Sequence, residues 1–189
     1  ALTIILKRND PTAAAKQVSL TELGSIRINK EERAKMLKTI PRTSIIGFII
    51  GVLPGAGATI ASFLAYGMER NLVKDEEKEK FGKGSVHGLA APETANNAAC
   101  SGAFVPLLTL GIPGSGTTAV MLGALLGFGI QPGPRLYMTN PEIFWSVIMS
   151  MYIGMVILLI LNLPLIPYIA RILAVPKNYL IPLILFFSI

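Results

Sequence analysis

Two short stretches constrain this chain more than any other feature. They are Val52-Leu53-Pro54-Gly55-Ala56-Gly57-Ala58-Thr59 and Gly111-Ile112-Pro113-Gly114-Ser115-Gly116-Thr117-Thr118. A shift of 113 − 54 = 59 positions superposes Pro, Gly, Gly and Thr. Each stretch sits inside a long apolar run, where proline removes an amide donor and glycine frees the backbone. Within a bilayer, unwound backbone persists only where protein or a water-filled cavity meets its polar groups. Matched breaks in two corresponding apolar segments are the strongest sequence pointer to a transporter's binding site. The expectation is therefore a membrane transporter with both Pro-Gly-x-Gly loops at its substrate site.

Composition agrees. Of 189 residues, 52% are hydrophobic and only 15% charged, and mean hydropathy is +0.58. Soluble domains carry about 25% charged residues. The abundance of Gly and Pro suits transmembrane helices. The net charge of +6 is unevenly spread: 14 of the 17 Lys and Arg lie at or before Lys83. Basic excess beside membrane segments marks the cytoplasmic side. These basic residues are mixed with acids and not interleaved with aromatics, which argues against a nucleic-acid partner. Cys100 is the sole cysteine, so no intrachain disulfide forms, and no ligand cluster surrounds it.

In chain order, Ala1-Leu2-Thr3-Ile4-Ile5-Leu6 reads as the exit of a helix, and 1–43 as that exit plus a cytoplasmic or interfacial basic segment with a short helix near 31–39. Residues 44–68 form a first broken element. It is either one interrupted span or, preferably, a re-entrant hairpin whose arms of about ten residues climb about 15 Å to mid-membrane and return. Residues 69–84 read as a charged, solvated cytoplasmic loop. Residues 85–134 hold the second broken element, with Pro92 and Glu93 in the first turn of a helix that carries Asn96 and Asn97 inward. After the second loop a helix resumes over 117–130. Residues 135–189 hold transmembrane helices: a simple span over 141–161 ended by Asn162-Leu163-Pro164, and a last helix cut short. The whole is an all-α, polytopic integral membrane protein with two broken or re-entrant helical hairpins, and it reads as an excerpt of something larger.

The loops carry the chemistry. Glycines let a ligand approach the backbone, and the first amides of each following helix have no intrahelical partner. These amides and the helix dipole attract an anion. The candidate substrate contacts are Pro54, Gly55, Ala56, Gly57, Ala58, Thr59, Pro113, Gly114, Ser115, Gly116, Thr117 and Thr118, with Asn96 and Asn97 lining the site. Neither loop holds Arg or Lys, so main-chain amides, hydroxyls and Asn amides would bind a carboxylate. For ion coupling the candidates are Glu93, Asn96 and Asn97. Sodium, with unassigned ligands, and a proton are both open, and no other cofactor is expected. The rival for Glu93 is a helix residue at the water interface, and for His87 a structural role. A nucleotide loop is disfavoured because no lysine follows either Gly-x-Gly. Helix packing through small residues explains isolated glycines, but not Pro-Gly-x-Gly twice in register. An intramembrane enzyme using Glu93 and His87 lacks a nucleophile or metal cluster. A non-transporting assembly subunit is the other alternative.

At these residues the chain resembles the permease subunit of tripartite tricarboxylate transporters. The likeness rests on the run 47–66, on Phe81-Gly82-Lys83-Gly84, Ala91-Pro92-Glu93 and Ala95-Asn96-Asn97-Ala98-Ala99, and on 106–118 with Gln131-Pro132-Gly133-Pro134. It covers most of 42–176. The resemblance implies a multi-pass bacterial inner-membrane permease, not an enzyme, longer than this chain. It implies a periplasmic solute-binding protein and a small second membrane subunit as partners. It also implies uptake of citrate or a related di- or tricarboxylate by ion-driven symport.

Overall fold

A computed structural model describes residues 28–172. The helix expected to exit at 1–6 and the truncated last helix lie outside the described residues. Every regular element among the described residues is helical: α1 Lys30–Val52, α2 Gly57–Leu72, α3 Asp75–Lys78, α4 Val86–Gly102, α5 Phe104–Leu110, α6 Gly116–Gly127, α7 Leu136–Thr139 and α8 Pro141–Ile172. Residues 28–149 form one compact unit, and the chain from Ser150 belongs to another.

Helix α1 begins where the Glu32 carboxylate accepts from the Asn29 N–H at 2.8 Å, with Glu31 and Glu32 in the first turn. Acids there suit the positive helix end. The helix then runs unbroken through Pro41 to Val52. The short helix near 31–39 is thus the start of α1, continuous with the apolar run. Likewise Pro92 lies inside α4, and Pro164 lies inside α8, which passes Asn162 without stopping. In each case the proline costs one backbone bond, while unwinding away from water would strand several. The true start of α4 is Ser85, whose Oγ accepts from the Gly88 N–H at 3.1 Å. Ser is a strong N-cap, and it wins over the proline signal seven residues on.

Helices α1, α2 and α4 pack through small residues spaced by four. The buried stripes are Thr39, Thr43, Gly47 and Gly51 on α1; Ala61, Ala65 and Glu69 on α2; and His87, Ala91, Ala95 and Ala99, continued by Ala103, on α4. Spacing by four keeps residues on one helix face. Backbone contact is close. A Cβ added at Gly47 would lie 2.6 Å from Ala95 Cα, and one at Gly51 2.6 Å from Ala99 Cα. Small residues permit such approach without a large apolar core, as membrane helix packing favours.

The first apolar run folds back on itself. Arg42, 54 − 42 = 12 residues before Pro54, meets Glu69, 69 − 54 = 15 residues after it. The charged segment after α2 is docked as well as solvated. Phe81 is buried, sits edge-on to Tyr66 at 5.2 Å, and abuts the Gly88 position. Helix α8 holds a segment, Pro141–Ile166, of mean hydropathy 2.4 that is long and apolar enough to cross a membrane, and none of its most apolar window is buried. Exposed Phe63, Val120 and Phe128 add to an apolar exterior on the first unit.

Candidate functional site

The two Pro-Gly-x-Gly loops meet. Gly55 donates its N–H to the Gly114 carbonyl at 3.4 Å. Both segments are unwound there: residues 53–56 between α1 and α2, and 111–115 between α5 and α6. Gly55 and Gly57 take φ of 83° and 70°, a region costly for side-chain-bearing residues. Gly111 ends α5 in the same left-handed conformation, and its N–H bonds the Leu107 carbonyl at 3.0 Å. That is a glycine C-cap, and it turns the chain back towards Ala103. Gly114 is buried there: a Cβ on it would lie 3.3 Å from Ala103 Cβ and 3.5 Å from the Gly51 carbonyl oxygen. The Gln131-Pro132-Gly133-Pro134 segment packs against this same C-terminal end of α5, with Gly133 N–H on the Leu108 carbonyl at 3.2 Å.

The two helix starts differ. Ser115 caps α6: its Oγ accepts from Thr118 N–H at 3.2 Å, while Thr118 Oγ1 accepts from Ser115 N–H at 2.8 Å. Thr118 is 2% exposed. The hydroxyls of Ser115 and Thr118 are therefore taken up in a cap, the familiar reciprocal box with Thr in place of Glu. Helix α2 starts at Gly57 after Ala56, which offers no side-chain cap. Its first amides keep the capacity for an external acceptor. Pro54, Gly55 and Thr59 are exposed, Ala56, Gly57 and Ala58 half-buried; Pro113 is half-buried, Gly116 and Thr117 exposed. Thr59 and Thr117 are the exposed hydroxyls of the pair of loops.

Asn96, Asn97 and Glu93 lie on an exposed face of α4. Asn97 Nδ2 donates to the Glu93 carbonyl at 2.9 Å, and Cys100 Sγ approaches Asn96 Oδ1 at 3.8 Å. Asn97 precedes Ala103, the residue beside Gly114, by six positions, or about 9 Å along the axis. Among the described residues no hydrogen bond joins either Asn to the loops. No three His, Cys, Asp or Glu side chains converge on a metal-sized site among the described residues.

A second polar cluster escaped the sequence reading. Glu69 is fully buried. Arg42 Nη2 donates to both of its carboxylate oxygens at 2.6 Å, and Thr39 Oγ1 donates to Oε1 at 2.8 Å. His87 Nδ1 lies 3.0 Å from the same oxygen and 2.7 Å from Thr39 Oγ1. Against an acceptor-only carboxylate, Nδ1 carries the hydrogen. The available signal was the α2 stripe Ala61, Ala65, Glu69, which places a carboxylate on a buried face. Finding its partners required knowing that the run folds back. Further out, Lys35 bridges Glu31 at 2.9 Å and Glu77 at 3.2 Å, and Lys80 joins Glu77 at 2.7 Å. The hydrogen bonds from Lys80 and Lys35 hold the Glu77 carboxyl below the ordinary carboxylate range, and that from Lys35 does the same for Glu31.

Two glycine-rich breaks that meet between helices, on a unit with an apolar exterior, fit the class of membrane transporters. The comparisons agree: the family model described as "Tripartite tricarboxylate transporter TctA family" matches residues 1–189. The chain belongs to the tripartite tricarboxylate transporter TctA family, a family of transporters and not of enzymes. Two relatives from Agrobacterium vitis carry no assigned activity. One, an uncharacterized 52.8 kDa protein in the TAR-I ttuC′ 3′ region, is 41% identical over 96% of this chain and 36% of its own length. The other, in the TAR-II ttuC′ 3′ region, is 46% identical over 75% of this chain and 58% of its own length. The chain thus spans between about a third and three-fifths of these relatives. No solved structure matches it.

Proposed function

We propose that this chain is the substrate-binding part of a secondary active permease that takes up a citrate-like di- or tricarboxylate across the bacterial inner membrane. In this reading an ion gradient of Na+ or H+ drives symport, a periplasmic solute-binding protein delivers the ligand, and a small membrane subunit completes the complex. The observation that carries the proposal is the Gly55–Gly114 contact, which joins two unwound segments 59 positions apart. The uncapped start of α2 supplies amides to one carboxylate, and the start of α6 with Thr117 faces it. From the Arg42–Glu69 pair to Pro54 is 12 residues of α1 and its end, roughly 18 Å of rise, comparable with half of a hydrocarbon core about 30 Å thick. That length supports a re-entrant hairpin with its tip near mid-membrane and the charged cluster at the cytoplasmic interface. Asn96, Asn97 and Glu93 serve the coupling ion in this scheme. Alternating access then moves the broken helices against a fixed scaffold.

The test is uptake of labelled citrate and other carboxylates into vesicles holding the full permease and its partners. Gly114→Leu places a side chain where a Cβ alone already meets Ala103 at 3.3 Å, so it separates the loops and abolishes uptake. Asn97→Ala lowers uptake and weakens its dependence on the ion gradient. Parental uptake by both variants, at matched abundance, refutes the site.

A further inference from the structure

We infer that Glu69 is the register key of helix α2 and, through it, a positioning residue for the first Pro-Gly-x-Gly loop. The inference rests on the reading of the loops as the carboxylate site and adds what holds them in place. The buried stripes of α1, α2 and α4 repeat every four residues, and towards the loops they are almost all Ala and Gly. Such surfaces pack nearly as well after a slip of four residues, about one turn, which displaces a helix by about 6 Å. Between α1 and α4 a slip is blocked sterically. A Cβ in the place of Gly102 would lie 3.1 Å from Val52 N and closer to the Phe48 carbonyl, so Ala98 cannot take that position.

Among the described residues, helix α2 shows no such glycine-imposed block. The one glycine inside it beyond the first turn, Gly67, has nothing within 4 Å of an added Cβ. Ala61 and Ala65 are interchangeable on slipping. Ser62 Oγ donates to the Pro92 carbonyl at 3.2 Å, but the hydroxyl can donate to a neighbouring α4 carbonyl instead. Among the buried polar groups of α2, Glu69 distinguishes one register from the next, and at the same end of the helix the Tyr66–Phe81 ring contact adds a shape preference. A one-turn slip puts Ala65 opposite Arg42, Thr39 and His87 and leaves a buried charge unpaired, the expensive outcome for ionic groups in an interior. It also carries Gly57, at the other end of the same rigid helix, away from Gly114. A buried ion pair is a weak source of stability, and hydrophobic groups of similar size often do as well. The cluster here is not even fully satisfied, since Arg42 Nε is buried without a hydrogen-bond partner among the described residues. Fixing register is the best-attested use of such a pair.

The experiment uses the full-length permease in a Cys100→Ser background with reporter cysteines Ala56→Cys and Gly116→Cys. Two arms are read: the yield of a short bismaleimide cross-link between the loops, and carboxylate uptake in the same variants without reporter cysteines. Glu69→Gln cuts the cross-link yield by more than half and lowers uptake about tenfold or more, as misplacement of binding groups does. Because Glu69→Gln strands Arg42 and can impair folding, Arg42→Met/Glu69→Met is the decisive variant. It removes the pair with little volume change and accumulates as a monodisperse protein, yet loses cross-linking and uptake as Glu69→Gln does. Parental cross-linking in this double variant overturns the inference, because the pair is then a replaceable packing element. If Gly114→Leu transports normally while both Glu69 variants lose the cross-link, the carboxylate-site reading falls and the register role stands.

Discussion

Gly51→Ala is the sharpest probe of the packing described here. The added Cβ would stand 2.6 Å from Ala99 Cα and 2.7 Å from Ala99 C, where ordinary contact begins at 3.4 Å. Helices α1 and α4 must therefore separate by at least 3.4 − 2.6 = 0.8 Å, because the obstruction is backbone and has no rotamer to change. A gap of about 0.5–1 Å forfeits a quarter to a half of each dispersion contact. Overpacking of this kind costs about 1–3 kcal/mol, set against about 1 kcal/mol gained by replacing Gly with Ala in a helix. The expected net is a loss of up to about 2 kcal/mol. Gly67→Ala is the control: with open space around it, only the propensity gain of about 0.5–1 kcal/mol remains. The assay is thermal denaturation of the full permease in detergent, followed as loss of the monodisperse fraction. Gly51→Ala lowers the midpoint by several degrees and Gly67→Ala leaves it equal or higher. A Gly51→Ala protein that melts with or above the parent would falsify the claim that α1 and α4 touch backbone to backbone.

Two more outcomes follow from other parts of the structure. Ser115→Ala removes the α6 cap and costs about 1 kcal/mol, read as faster amide exchange over residues 116–119 with α2 unchanged; equal exchange in both proteins contradicts the cap. The Glu31–Lys35–Glu77–Lys80 network carries a pH signature. Glu31 and Glu77 are held below their unfolded range, so their contribution is present at neutral pH and lost as acid titrates them through their lowered folded values. Amide protection around α3, corrected for intrinsic rates, falls between pH 7 and strongly acid solution and also in molar salt; constant protection across both would show that the network does not hold α3.

Much of this arrangement was legible because it is written in backbone chemistry. Pro-Gly-x-Gly interrupts a helix wherever it stands, and Gly111, Gly55 and Gly57 do so with the positive φ that glycine allows. The repeat at 59 positions pointed to two equivalent breaks, and they touch. The helix ends around other prolines were not legible. Pro41 and Pro164 look like stops by local sterics and Pro92 like a start, yet each sits within a helix, because the alternative leaves several polar groups unmet. The Glu69 cluster was hidden for a different reason. Thr39, Arg42, Glu69 and His87 come from three helices, and no local pattern ties them together until the hairpin closes. Within the loops, residue type was legible but its employment was not: Ser115 and Thr118 have hydroxyls of the right kind, and they bond one another.

That internal bonding makes the two loops unequal towards any incoming anion. In the proposed site an acid group at α2 meets amides that no side chain caps, since Ala56 makes no side-chain cap. At α6 it meets amides partly spoken for by Ser115, so it either settles beside the hydroxyl or unseats it. In that proposed site the two ends of a dicarboxylate would be gripped with different strength, giving a nearly symmetrical solute a preferred orientation.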